Sequence, residues 1–498
     1  MEQHQRHLGD DLERILNRLV RDGSTAPRTL SSPESSPHWE ALELLTPAAR
    51  AAALERILRG NLPLADNPRA NRERLFDPKP LLFTTAEELL AHPVSAHPRE
   101  AAALPIALLN AQYEVELRGV RSCSRASVDF DLLATFIEAA LVTLWQLLLG
   151  YWRRQLPVPG RLWSELHALY QLACATCIEH AGASHPRATG IRSAYLKPLL
   201  LGSLNPTRFR SAEIKQIAAF LDCYADRARL GGKTGLLLID PDSARPPGYL
   251  GNRAIVGCSR LCVRGLVQAL DEDATNQGLL VPRLVRDLGR YWTRPQVRGE
   301  LHRRADDRVR LAIGLEHAHR ALTGCEDDDS FPEHLSPANS ETPGQHADGS
   351  WLRAHYRDRS AAGAQLRLRG TPGQISPGEL VAALEATGWR LGLLRWTQLT
   401  PEFDTAAGVH WLPEDFEPAA VRGLDLSLPA PFLRAFLLSG TATGQDPELL
   451  LPSGLFKPAD YVRVRTADAE VSLSLTAVID RTFHIARFSA RIISEPTA

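Results

Sequence analysis

The chain changes character at the point where its apolar positions change period. Before about residue 300 they recur at helical spacing, as in Leu12, Ile15, Leu16 and Leu19, in Trp163, Leu166, Leu169 and Tyr170, and in Ile214, Ile217, Ala218 and Leu221. Thr46 followed by Pro47 reads as an N-cap with proline in the first turn, and Gly60 as the stop. Thr85 and Glu88 have capping-box spacing. One strand-like run, Gly235-Leu-Leu-Leu-Ile-Asp240, interrupts this text. Helices are expected to resume from Cys258 to Leu270 and from Leu280 to Leu301. Gly23 to Pro37 reads as loop, and no fixed-period repeat is evident.

Past Arg303 the period becomes 2. Val309, Leu311, Ile313 and Leu315 alternate with Arg310, Ala312, Gly314 and Glu316, which carries the predicted strand on to His317 and His319. Thr323 to Ser350 is acidic and rich in Pro, Ser, Asn and Gly, the composition of an inserted loop. Alternation returns at Ala364, Leu366 and Leu368. Further strands are predicted at Leu380 to Leu384, Trp389 to Trp396, Gly408 to Leu412, Val462 to Val464 and Val471 to Leu475. Many short strands between Gly/Pro turns predict a small barrel. The expected class is α+β, with an all-helical region over 1–300, a barrel over 301–415 with its insertion at 323–350, and a strand-rich extension over 416–498.

Composition narrows the setting. A formal net charge of −1 over 498 residues gives no overall field toward nucleic acid or membrane, so any anion site is a local cluster. The seven cysteines are scattered, and Met1 to Arg21 is charged throughout, unlike a signal peptide. The expectation is a cytoplasmic protein. Leu132 to Gly150 is apolar and nearly long enough to span a bilayer, but Glu138 sits inside it. A buried core helix is the better reading, with no transmembrane segment.

Arginines crowd the junction: Arg294, Arg298, Arg303, Arg304, Arg308 and Arg310. A guanidinium binds phosphate through two parallel hydrogen bonds, reads the O6 and N7 edge of guanine, and stacks on bases. The plain alternative is a solvated helix end. A second element is Asp358-Arg-Ser360-Ala-Ala-Gly363. Asp and Ser hold tight turns and also present an acceptor and a hydroxyl to a guanine edge, while Gly363 permits positive φ or close backbone approach.

Together these elements resemble the PilZ domain, whose members carry R-x-x-x-R before the first barrel strand and [D/N]-x-S-x-x-G on a later turn. Here they are Arg304-Ala-Asp-Asp-Arg308 and Asp358 to Gly363. Ile375-Ser-Pro-Gly378-Glu-Leu380, Gly392-Leu-Leu-Arg395-Trp396 and Gly408-Val-His-Trp-Leu412 look like the family's later turn and strands. The resemblance covers about 301–413. It implies a six-stranded barrel that binds cyclic di-GMP through Arg304, Arg308, Asp358, Ser360 and Gly363, with Arg303 as a helper. The gap from Arg308 to Asp358 is longer than the family's, and Asp306 and Asp307 are placed to pair with the two arginines.

The function this implies is a cyclic di-GMP effector that is not an enzyme, needs no cofactor and binds no nucleic-acid polymer. Its helical region would meet a protein partner. The competing function is a PilZ-like interaction scaffold without nucleotide. A third reading, an enzyme with its site in the helical region, has no motif to support it.

Other signals carry less. Gly231-Gly-Lys233-Thr234 lacks the leading glycine of a P-loop, since Arg227 stands there, and precedes a strand. Cys174, Cys177 and His180 lack the second cysteine pair of a zinc site, and Cys258 and Cys262 are spaced like one helix face, so both pairs read as core cysteines on helices. Glu165 and His167 read as helix-packing residues.

Overall fold

The computed structural model describes residues 14–19, 39–91, 98–125, 129–180, 190–231, 235–249, 257–276, 278–294, 303–324, 331, 335, 351–369, 375–424, 431–438 and 446–493. The chain forms two compact units, Met1–Gln296 and Val297–Ala498.

The first unit is built on helices. Its longest pair, Pro98–Arg125 and Phe130–Arg153, packs side by side. The approach is close because Gly119 has no side chain: a Cβ there would lie 2.4 Å from the Phe136 ring. Asp129 starts the second helix by accepting from the Leu132 amide at 3.1 Å. That helix is long and apolar enough to cross a membrane, yet most of it is buried among its neighbours. Glu138 is accommodated by accepting the Gly190 amide at 2.9 Å. Thr46 caps Pro47–Asn61 as expected. Thr85 does not open a helix; it lies within Lys79–Ala91 and its hydroxyl bonds the Leu81 carbonyl, while Glu88 pairs with Arg50. The capping-box spacing there arose by chance inside a helix that begins earlier.

A small sheet also belongs to this unit: β1 (Arg229–Leu230), β2 (Leu237–Ile239), β3 (Gly248–Tyr249) and β4 (Ser259–Cys262), in the order β1-β4-β2-β3. The helix predicted from Cys258 therefore begins later, as Arg264–Asn276; Cys262 ends β4 and Cys258 immediately precedes it. The β-pairing of Leu261 with Leu237 buries both, and this overrides the local helical spacing. Cys174 and Cys177 are exposed rather than core, the second with φ of 56° just beyond the Gly160–Ala175 helix.

The second unit holds two barrels. The first uses β5 (Arg303–Arg304), β6 (Arg308–Ile313), β7 (Leu352–Arg359), β8 (Gly363–Leu368), β9 (Leu380–Glu385), β10 (Gly388–Leu399) and β11 (Thr405–Trp411). Six of them close a ring, β6-β7-β8-β11-β10-β9, and β5 is added beside β7. Val309, Leu311, Ala354, Tyr356, Leu366, Leu368, Val381 and Val409 fill the interior, each large side chain contributing about 1.5–3 kcal/mol by leaving water. The period-2 spacing of β6 thus turns its arginines outward.

The alternation ends at Ile313. His317 and His319 lie on a helix, Leu315–Thr323, and not on a strand. Gly314 (φ 93°) opens it and Gly324 (φ 68°) closes it, and Ala318 and Leu322 pack at helical spacing. Leu315 happens to prolong the odd-numbered apolar series, which hides the break.

The C-terminal region is a second closed barrel: β12 (Phe416–Gly423), β13 (Leu433–Leu438), β14 (Glu448–Pro452), β15 (Tyr461–Arg465), β16 (Glu470–Arg481) and β17 (Ile485–Ile492), in the order β12-β13-β14-β17-β16-β15. The barrels share a hydrophobic contact. Ala312, Leu380, Leu391 and Leu393 of the first, with Ala318 and Leu322 of the helix, meet Phe436, Leu438, Leu450 and Ile485 of the second. Around it, Arg395 pairs with Asp480 at 2.9 Å, and the Thr482 hydroxyl donates to the Gly378 carbonyl at 2.7 Å. His319 Nε2 meets the Ala419 carbonyl at 3.2 Å, and burial lowers the pKa of its ring to about 4.

Candidate functional site

Strand pairing brings the two sequence motifs into one place. β5 runs antiparallel to the end of β7, so Arg303 stands opposite Arg359 and Arg304 opposite Asp358. The chain then turns through Ala305, Asp306 and Asp307 and re-enters the sheet as β6, with Arg308 opposite His355. Two backbone bonds hold this turn against β7: the Ala305 amide to the Arg357 carbonyl at 3.3 Å, and the Tyr356 amide to the Asp307 carbonyl at 3.0 Å. Arg303, Arg304 and Arg308 are all exposed.

The acids between the arginines do not occupy them. Asp307 pairs with Arg359 at 3.7 Å and Asp306 lies 3.9 Å from His355, both across on β7. Among the described residues neither Arg304 nor Arg308 forms a salt bridge. The physical reason is register: the turn is hydrogen-bonded along β7, so its acids face β7 side chains rather than their own neighbours.

The Asp358–Gly363 segment forms the tight turn from β7 into β8. The Ser360 amide donates to the Gly363 carbonyl at 2.7 Å, and the Ser360 hydroxyl accepts from the Gly363 amide at 3.2 Å. Gly363 is needed for close approach and not for positive φ: a Cβ there would sit 2.6 Å from the Val409 carbonyl oxygen on β11. Arg390 braces the turn by donating to the Ala361 carbonyl at 3.0 Å, and the Trp411 amide bonds the Ala362 carbonyl at 3.0 Å. Beneath it, Tyr356 donates to Glu385, and burial followed by that carboxylate pushes the phenol well above its usual range. The six sequence-derived residues therefore lie together on the surface of β5, β6, β7 and β8, with the turn rigidly tied.

Spacing alone did not single out Arg353, Arg357 and Arg359, which are exposed on β7. The outward alternation of Arg353, His355 and Arg357 against buried Ala354 and Tyr356 was the available signal. The surface of β5, β6 and β7 thus carries seven exposed arginines, 303, 304, 308, 310, 353, 357 and 359. Arg294 ends a helix of the first unit, and Arg298 falls outside the described residues, as do most of the insertion and residues 232–234 of the glycine-lysine run. Among the described residues no group of three or more His, Cys, Asp or Glu is arranged to hold a metal.

In the helical unit, His167 is buried, with Nδ1 2.8 Å from the Tyr195 hydroxyl and its pKa lowered by burial to about 4. Glu165 is buried on the same helix. Both occupy the packing positions expected of them.

Comparison with known proteins bears on the two ends of the chain. Residues 26–234 match the family model described as the N-terminal domain of the cyclic-di-GMP receptor FimW. Residues 419–493 match that of the FimW C-terminal beta-barrel domain, which is the second barrel here. The curated Cyclic-di-GMP receptor FimW of Pseudomonas aeruginosa is 32% identical over 139 residues, 26% of this chain and 23% of that protein. The matched stretch thus spans under a quarter of the relative's length. No solved structure matches the chain. Residues 235–418, with the first barrel, lie between the two matched stretches. The chain is therefore similar at both ends, in its helical unit and in its second barrel, to the cyclic-di-GMP receptor FimW.

Proposed function

We propose that this chain is a cyclic di-GMP receptor of PilZ-like design, a non-enzymatic effector whose ligand binds the outer face of the first barrel. The observation that carries this reading is the register of β5 on β7, which sets Arg303, Arg304 and Arg308 beside the Asp358–Gly363 turn. The similarity of both ends to a cyclic-di-GMP receptor supports it independently. Arg304 and Arg308 take phosphate and guanine edge, Arg303 adds charge, and Asp358 and Ser360 accept from and donate to a guanine. Gly363 lets the turn lie flat on β11. The ligand is the only small molecule required, the helical unit meets a protein partner, and the setting is the bacterial cytoplasm.

Titration calorimetry on the full chain tests this. Cyclic di-GMP should bind and be preferred over GMP and over cyclic di-AMP, which lacks the guanine O6 acceptor. Folded protein that gives no heat with cyclic di-GMP at concentrations well above its own would favour the scaffold reading instead.

A further inference from the structure

The arginine surface continues past the motifs. β6 and β7 pair so that Arg310 stands opposite Arg353, one outward step beyond Arg308 and His355. Two like charges directly opposite destabilise a strand pair unless an anion offsets them. The other arginine pair on this surface, Arg303 opposite Arg359, is relieved by Asp307 at 3.7 Å from Arg359. Arg310 and Arg353 are exposed and form no salt bridge among the described residues.

The surroundings of the pair are built. The Arg310 guanidinium lies 5.5 Å from the centre of the Trp351 ring, and Trp351 stacks on Trp389 at 5.5 Å and 26°. A guanidinium held against an aromatic ring has less freedom to lose on binding and keeps its N–H fork presented. The surface also has an end. Ala312, the next outward residue of β6, is buried in the contact between the barrels, and Trp351 and Trp389 pack against that same cluster. From Asp358 to Arg353 is five residues of strand, about 17 Å. That is room for two nucleotide units side by side between the Ser360 turn and the tryptophans.

We infer that Arg310 and Arg353 form a second anion subsite, which takes the far guanosine phosphate half of the cyclic dinucleotide. The inference rests on the proposed ligand. Arg304 and Arg308 serve the half nearer the Asp358–Gly363 turn. The phosphate of the other half lies between Arg310 and Arg353 and offsets their repulsion, and its base lies along the Trp351-held guanidinium.

The test is calorimetry on the full chain with cyclic di-GMP and with GMP, comparing wild type, Arg310→Ala, Arg353→Ala and the charge-conserving Arg353→Lys. Each alanine variant should weaken cyclic di-GMP about tenfold or more. GMP, which fills only the motif half, should bind both variants as it binds wild type, and Arg353→Lys should recover part of the loss. Thermal unfolding should be unchanged or slightly raised, since a like charge is removed. Wild-type affinity in both alanine variants, alongside a loss in Arg304→Ala, would overturn the subsite and leave the proposed function standing. Equal weakening of GMP and cyclic di-GMP would also overturn it, reducing the pair to general electrostatics. Failure of the wild-type chain to bind cyclic di-GMP would overturn both.

Discussion

Removing Arg304 or Arg308 is the sharpest perturbation of the motif end, because the structure predicts a large effect on binding and a small one on folding. Both side chains are exposed, Arg304 at the end of β5 and Arg308 at the start of β6, and the backbone bonds there do not depend on them. Arg304 stands opposite Asp358 in the ladder without forming a salt bridge to it, so Arg304→Ala should cost at most about 0.2–1 kcal/mol of cross-strand attraction. Arg308 faces His355 and has no carboxylate to lose, so Arg308→Ala should leave stability within about 0.5 kcal/mol. Each arginine would give one or two charge-assisted hydrogen bonds to the ligand, and losing one costs about 1.5–3 kcal/mol, or roughly one to two decades in affinity. Calorimetry with cyclic di-GMP at fixed ionic strength reads the loss, and thermal unfolding reads the fold. Arg286→Ala, an exposed arginine on the Pro282–Thr293 helix, controls for general charge. The reasoning is refuted if all three variants bind alike, or if the motif variants lose affinity only in proportion to lost folded protein.

Two further outcomes are expected. Gly363→Ala should destabilise the second unit and not merely weaken binding, because the added methyl meets a β11 carbonyl at 2.6 Å and backbone cannot easily give way; a variant with unchanged thermal unfolding would show that the turn relaxes. His319 should make the second unit acid-sensitive. Its pKa, lowered to about 4 by burial, lies below the unfolded value, so the stability it confers is present above about pH 6.5 and falls as pH drops toward 4, by at most about 1.4 kcal/mol per pH unit. His319→Gln keeps a donor for the Ala419 carbonyl and does not titrate, so its stability deficit relative to wild type should shrink on acidification; a constant deficit would mean His319 does not drive the pH effect.

What the sequence determined by itself is what local pattern can hold. The helices of the first unit were legible because their apolar positions repeat at 3.6 and their caps are local, as with Thr46 and Pro47. Five strands of the first barrel were legible because an interior–exterior alternation fixes which side chains are buried, as with Val309 and Leu311 against Arg308 and Arg310, whereas β5 and β7 were not predicted. The candidate ligand residues were found as two short motifs, since residue type and close spacing are visible in one dimension. Where two alternatives share a local pattern, tertiary structure decided. Leu315 fits both a continuing strand and the start of a helix, and packing of Ala318 and Leu322 selects the helix. Cys258 and Cys262 fit a helix face, and pairing of Ser259 to Leu261 with β2 and of Cys262 with β1 selects a strand that begins just after Cys258. Closure of the C-terminal strands into a barrel depends on β12 meeting β15, which are separated by two other strands in the chain. Register decided the rest of the site. Whether Asp306 and Asp307 neutralise their neighbouring arginines, and whether Arg310 faces Arg353, depends on which residue of β7 each stands against. A slip of one residue would turn every one of those side chains to the other face.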